Sequence, residues 1–189
     1  MQQMDLAPRR VRGMTGLAGL VASLALASTV AAQQPARVAV LPVALYTAGA
    51  NVAEASDSLA PMVADSVLRA KLNDLAPGAG LFGDSVRSAA GGPAAMAAAS
   101  KQPCNVIVGC ARAVGHQLGT PWAVMAKVSK TSNLIWIFSG QLINVETGKL
   151  ELDDTTELKG DPVAMTRAGV GIFAERVARV LLGKVAASR

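Results

Sequence analysis

Histidine is nearly missing from this 189-residue chain, with His116 the only one. A Ser-His-Asp arrangement would have to be built on that residue, and no Gly-x-Ser-x-Gly elbow is present to carry its nucleophile. Cysteine is scarce as well. Cys104 and Cys110 are the only pair, and with His116 they supply three ligands where a closed structural zinc site takes four. Cys110 and His116 are also set six positions apart, which turns them to different sides of one helix. No metal site is expected. Aromatic residues make up 3% of the sequence, and no block of lysine and arginine is interleaved with them, which excludes a nucleic-acid surface.

The familiar cofactor and ion motifs are also lacking. Gly78, Gly80 and Gly83 in "GAGLFG" spell G-x-G-x-x-G, but the stretch follows a helical pattern and leads towards a strand, the reverse of a dinucleotide loop. About 20 residues further on, where an acid would meet a ribose hydroxyl, stand Ser100 and Lys101. The carboxylates of "ELDDTTE" (Glu151 to Glu157) lack the loop glycine of a calcium site and read as a solvated strand face. No cofactor is expected.

What is present begins with Arg9, Arg10 and Arg12, followed by the uncharged run "GMTGLAGLVASLALASTVAA". This pattern predicts a secretory signal peptide over residues 1–32, cut after Ala32 at a small-residue site. No cysteine adjoins the cut, so a lipid-anchored N-terminus is not expected, and no second long apolar run follows. The expected product is a soluble periplasmic protein without a stable membrane anchor. Its leader carries three of the 18 basic and one of the 13 acidic side chains, so cleavage lowers the net charge from +5 by two. The remainder, about 150 residues, suits one domain over residues 33–189.

Periodicity organises that domain. Arg37 to Tyr46 reads as a first strand with Pro42 at an edge or bulge. Leu59, Met62, Val63, Val67 and Ala70 recur at helical spacing, predicting a helix over residues 57–73 with Ser56 or Asp57 as its cap. Residues 76–103 form a Gly/Ala-rich connector with a short strand between Leu81 and Val86; Ala94 to Ala99 has helical propensity but no face to bury. A helix over residues 106–118 stops at Gly119 and Pro121. Three strands follow over residues 122–157 as an antiparallel meander, joined by the turns "SKTSN" and "NVETGK", the latter carrying Gly148 where a positive φ is wanted. Leu134, Trp136, Phe138 and Leu142 take one face of the middle strand, and Ile135, Ile137 and Ile143 take the other, so both faces need cover at its centre. Asp161 and Pro162 open a last helix over residues 162–182, with Val163, Thr166, Val170, Phe173, Val177, Val180 and Leu181 at helical spacing. The order predicts an α/β or α+β fold with a mixed sheet of about five strands.

In an oxidising compartment the two cysteines pair. Cys104 and Cys110 are not the C-x-x-C of a redox couple. Six residues of α-helix rise about 9 Å, beyond the Cα separation of about 4.4–6.8 Å a disulfide accepts. Cys104 must therefore precede the helix and fold back onto its first turn, with Pro103 and Asn105 at the bend.

The stretch from Cys104 to Leu150, followed by "KGD" and an amphipathic helix, resembles a family of small secreted proteobacterial proteins of unknown function. Its shared features are a cysteine-containing helix ending in Leu118 and Gly119, the segment around Val128, Ser129 and Ser132 to Ile135, and a hairpin with Thr147 and Gly148. The "KT" inserted in the serine-asparagine segment departs from that pattern, as does "MTRAGVGIF" in the last helix. The resemblance implies a topology like the N-terminal domain of TolB and the curli-secretion and penicillin-binding-protein-activator lipoproteins, which are envelope assembly or regulatory modules.

The expected function is a non-catalytic module that binds another envelope protein. Its surface would be an exposed sheet edge or the hairpin tips, Lys130, Thr131, Ser132 and Asn133 at one and Thr147 and Gly148 at the other. The alternative is a small-molecule binder or enzyme with a pocket near His116 and the Cys104–Cys110 bridge.

Overall fold

Six strands carry the fold: β1 (Val38–Val40), β2 (Ala44–Thr47), β3 (Gly80–Leu81), β4 (Trp122–Lys130), β5 (Ile135–Asn144) and β6 (Leu150–Lys159). The structure, a computed structural model, describes residues 35–47, 55–100, 104–132, 135–159 and 161–183. The predicted signal peptide and its cut after Ala32, together with Pro103, Asn133 and Leu134, lie outside the described residues. The sheet order is β3-β1-β4-β5-β6, with β2 also pairing along β4. β1 and β2 run parallel to β4, whereas β4, β5 and β6 form the expected antiparallel meander. The sheet is open and mixed.

The first strand is split in two. Proline has no N–H to give a ladder, and at Pro42 the chain steps out of register. Leu41 N still donates to Val124 O at 2.9 Å, but Val43 N turns to the Asp65 carboxylate at 3.3 Å.

Helices cover both faces. α1 (Leu59–Leu75) and α5 (Pro162–Leu181) lie on the face formed by Val38, Val40, Val124, Val128, Phe138 and Leu142. α2 (Asp84–Ala90), α3 (Pro93–Ala99) and α4 (Val108–Leu118) lie on the other, over Ala39, Leu41, Ala123, Met125 and Ile143. α5 begins as its sequence predicts. Asp161 caps it by accepting from Val163 N at 2.9 Å, Pro162 follows, and Thr166, Val170, Phe173, Val177 and Leu181 are buried. It lies close to the sheet because Gly140 has no side chain. A Cβ there would stand 2.8 Å from the Phe173 ring, which packs edge-on against Phe138.

Three expectations change. The connector is mostly helical: α2 and α3 bury Val86, Ala89, Ala95 and Ala99 in the cluster that holds Cys110, Ala111 and Val114 of α4. The face that seemed absent from Ala94 to Ala99 is made of alanine methyls, which suffice where α4 lies close enough to meet them. α1 follows a four-residue 3-10 turn at Ala55–Ser58 and buries Ala60, Ala64, Leu68 and Leu72, while Leu59 and Met62 are 52% and 66% exposed. Ala60 and Ala64 let the helix approach the sheet, and Leu68 and Leu72 complete the buried stripe. Asp57 does not cap α1; its carboxylate is used elsewhere. α4 starts at Val108, after a 3-10 turn at Cys104–Val106.

Candidate functional site

The disulfide has the predicted geometry. Cys104 sits in the 3-10 turn, Cys110 is buried in the first turns of α4, and their Cα atoms are 5.1 Å apart. Ala111 N reaches back to Ile107 O at 3.0 Å, so the bridge and the helix start hold one compact bend. Val106 projects from that bend beside Met125 of β4.

Beyond Met125, among the described residues, no helix packs on this face of the sheet. Strand alternation places Lys127 and Ser129 of β4, Ile135, Ile137, Ser139 and Gln141 of β5, and Asp153 and Thr155 of β6 on this uncovered half. Tyr46 of β2 joins them, 45% exposed, with the Lys127 ammonium 5.2 Å from its ring centroid. A cleft of about 240 Å³ opens here, lined by Val106, Met125, Lys127, Ser139, Gln141, Asp153 and Thr155. Gln141 Nε2 donates to Asp153 Oδ1 across the strand pair at 3.0 Å. Of the three isoleucines assigned to this face, Ile143 is buried under α4, but Ile135 is 38% exposed. Both faces of β5 are therefore covered over only part of its length.

The expected site residues do not share one surface. Thr131 and Ser132 lie at the β4–β5 turn and Thr147 and Gly148 at the β5–β6 turn, separated by the ten residues of β5, about 30 Å. Lys130 belongs to neither surface. Its side chain is 6% exposed, and its ammonium meets the two oxygens of Asp57 at 3.0 and 2.9 Å, with the Trp136 ring centroid 5.6 Å away. The signal for this was its parity: Lys130 follows Val124, Ala126 and Val128 at steps of two, and therefore points inward. Its partner Asp57, far off in sequence, carried no comparable mark.

The other turn is held from outside. Gly148 has φ +75° as expected, and the Arg112 side chain of α4 crosses it to donate to Val145 O at 2.8 Å and Glu146 O at 2.6 Å. His116 is exposed near the C-terminal end of α4, and Gly119 closes that helix with φ +61°. His116 is eight residues along from Val108, about 12 Å up the helix, so the cleft adjoins the disulfide bend but not the histidine. In "GAGLFG", Gly80 lies inside β3 and Gly83 precedes the seven-residue α2, so the strand falls within the motif instead of before it. Among the described residues, no three His, Cys, Asp or Glu side chains gather where a metal ion could be held, and no helix is long and apolar enough to cross a membrane.

The sequence pattern of a family described as "Protein of unknown function (DUF2380)" matches residues 36–176. The chain belongs to this family, DUF3280. The match covers the disulfide bend, the whole meander and most of α5, so the uncovered half-sheet is part of the DUF3280 domain. It meets the expectation of a family of unknown function drawn from the Cys104 to Leu150 stretch. No curated protein matches the sequence significantly.

Among solved structures, the DUF3280 chain is similar to the C-terminal domain of LpoB from Salmonella enterica. The identity is 13% over 68% of this chain and 86% of that one, with a TM-score of 0.46. It is similar to TolB from Acinetobacter baumannii at 13% identity over 80% of this chain and 29% of that one, with a TM-score of 0.46. Lipoprotein GNA1162 from Neisseria meningitidis aligns at 11% identity over 82% of this chain and all (100%) of that one, with a TM-score of 0.43.

Proposed function

We propose that this DUF3280 protein is an exported, non-catalytic module that binds another envelope protein on the uncovered half of its sheet. The observation that carries the reading is the exposure of Tyr46, Ile135, Asp153 and Thr155, with Ser139 and Gln141 half-buried between them, on long strands whose opposite face packs under α1 and α5. A rigid floor with apolar and hydrogen-bonding groups side by side suits a protein partner, because little ordering entropy is lost when the partner docks. The oxidised Cys104–Cys110 pair and the leader-like residues 1–32 support an oxidising, exported setting. The Thr131–Ser132 turn, beside Ile135, is a natural margin of this surface.

The test is site-specific photo-crosslinking in cells of the host. A crosslinker at Ser139 or Thr155 is expected to yield one protein adduct that Ile137→Asp abolishes, whereas a crosslinker at Arg87 on α2 is not. Adducts of equal yield at all three positions, or none at Ser139 and Thr155, would sink the reading. Fractionation belongs with it: a periplasmic species whose N-terminus is Gln33 is expected.

A second reading, a small-molecule site, is favoured by one observation, the cleft of about 240 Å³ between Val106 and the Gln141–Asp153 pair. A ligand-induced thermal shift lost in Gln141→Leu, with no protein adduct at Thr155, would select it.

A further inference from the structure

We infer that the free edge of β6 takes an extended segment of the partner in which apolar and basic side chains alternate, added to the sheet as its next strand. This rests on the reading of the protein as a binding module and specifies the partner's chemistry. β6 is ten residues long and terminal in the sheet, and among the described residues no strand pairs with its outer side. In an antiparallel strand, alternate residues turn both N–H and C=O away from the neighbour, so about half of the main-chain groups of β6 face outward. The register irregularity falls at the start, opposite Leu142 and Ile143, and leaves Leu152 to Thr156 regular.

The two sides of this edge differ, and together they define the occupant. On the side of the packed core, α5 runs alongside. Gly169 lies against Thr156, and Arg176 Nη1 bonds Asp154 Oδ1 at 2.6 Å. Helical spacing puts Met165 and Ile172 on the same stripe as Gly169 and Arg176, and both are exposed, at 37% and 55%. They form an apolar shelf along the edge, with Ile172 between the two contacts to β6. On the uncovered side stand Asp153 and Thr155. Asp153 takes its hydrogen bond from the neutral Gln141, and Lys127 lies two strands away over Tyr46.

An added strand repeats the alternation of its neighbour. Its side chains on the α5 side meet Met165 and Ile172; those on the other side meet Asp153, with Glu151, which has Lys149 at 3.6 Å, at the start of the row. Apolar residues fit the first row and lysine or arginine the second. A second copy of this chain fits poorly, because antiparallel pairing of β6 with itself about residues 153–155 sets acids against acids, and like charges directly opposite are destabilising.

The test uses the purified full chain and a synthetic peptide of the length of β6 that alternates valine and lysine. Controls are a valine–glutamate peptide, a scrambled peptide of the same composition, and the valine–lysine peptide N-methylated at alternate residues. Saturable binding of the valine–lysine peptide is expected, with amide exchange slowed at alternate residues of 151–156. Binding should weaken about five- to tenfold in Asp153→Lys, in line with the size of cross-strand charge pairs, and measurably in Ile172→Lys, a change at an exposed site that leaves the fold intact. N-methylation on the pairing edge should abolish it.

Binding of the scrambled or N-methylated peptide with equal affinity would overturn the inference, since simple charge attraction would explain it. Absence of binding would also overturn it and leave the edge charges as a guard against aggregation. A dimer of the free protein that Asp153→Lys dissociates would assign the edge to a second copy instead. If crosslinkers on the uncovered half-sheet capture a partner while β6 shows no protection, the binding module stands and only this inference falls.

Discussion

Removing the Lys130 ammonium would leave the Asp57 carboxylate in a site where both side chains are 5–6% exposed. A buried pair of this kind is stabilised little relative to an apolar pair of the same size, but removing one half takes a buried counter-charge from the other. Lys130→Ala is therefore expected to cost about 3–5 kcal/mol in urea denaturation. Lys130→Met combined with Asp57→Leu should recover most of that loss. If the single variant costs no more than an ordinary surface substitution, the pair is not buried as described. Residue identity is also decisive at Gly140, where Ala would drive a methyl into the Phe173 ring. Overpacking of that kind costs about 1–3 kcal/mol.

Two clamps act on whole elements. The Cys104–Cys110 bridge ties the 3-10 turn to α4 and so sets where Val106 stands at the cleft. A loop this short removes little chain entropy, so reduction should cost about 2 kcal/mol, seen as a fall in Tm of about 4–8 °C. An unchanged Tm under full reduction would show that packing alone holds the bend. Two residues past Cys110 on α4, Arg112 fixes the β5–β6 turn through two carbonyls. Arg112→Ala is expected to cost about 1–3 kcal/mol and to speed amide exchange at Thr147 to Lys149, leaving the β4–β5 turn unaffected.

Over the whole molecule, one face of the sheet is packed along its length and the other only over part. Ile143 and Ile135 share β5 and that second face, yet one is buried under α4 and the other is 38% exposed. Ile143→Ala should cost about 2–5 kcal/mol and Ile135→Ala under about 1 kcal/mol. Comparable costs would mean that the open half is covered in solution, by the partner or by another part of the chain.

The sequence by itself determined what depends on near neighbours. The alternation of the meander, the Asp161–Pro162 start of α5, the stop at Gly119, the positive φ of Gly148 and the backward fold of Cys104 all follow from spacing within a few residues, where geometry leaves few choices. Only the tertiary structure decided which alanines count as a face, which stripe of α1 turns inward, that Lys130 meets Asp57, and that, among the described residues, half of one sheet face and the outer edge of β6 stay uncovered. Each of these is set by how closely distant segments approach. A methyl buries well only when another element lies within contact distance, and a lysine goes inward only when a carboxylate from elsewhere in the chain arrives to meet it.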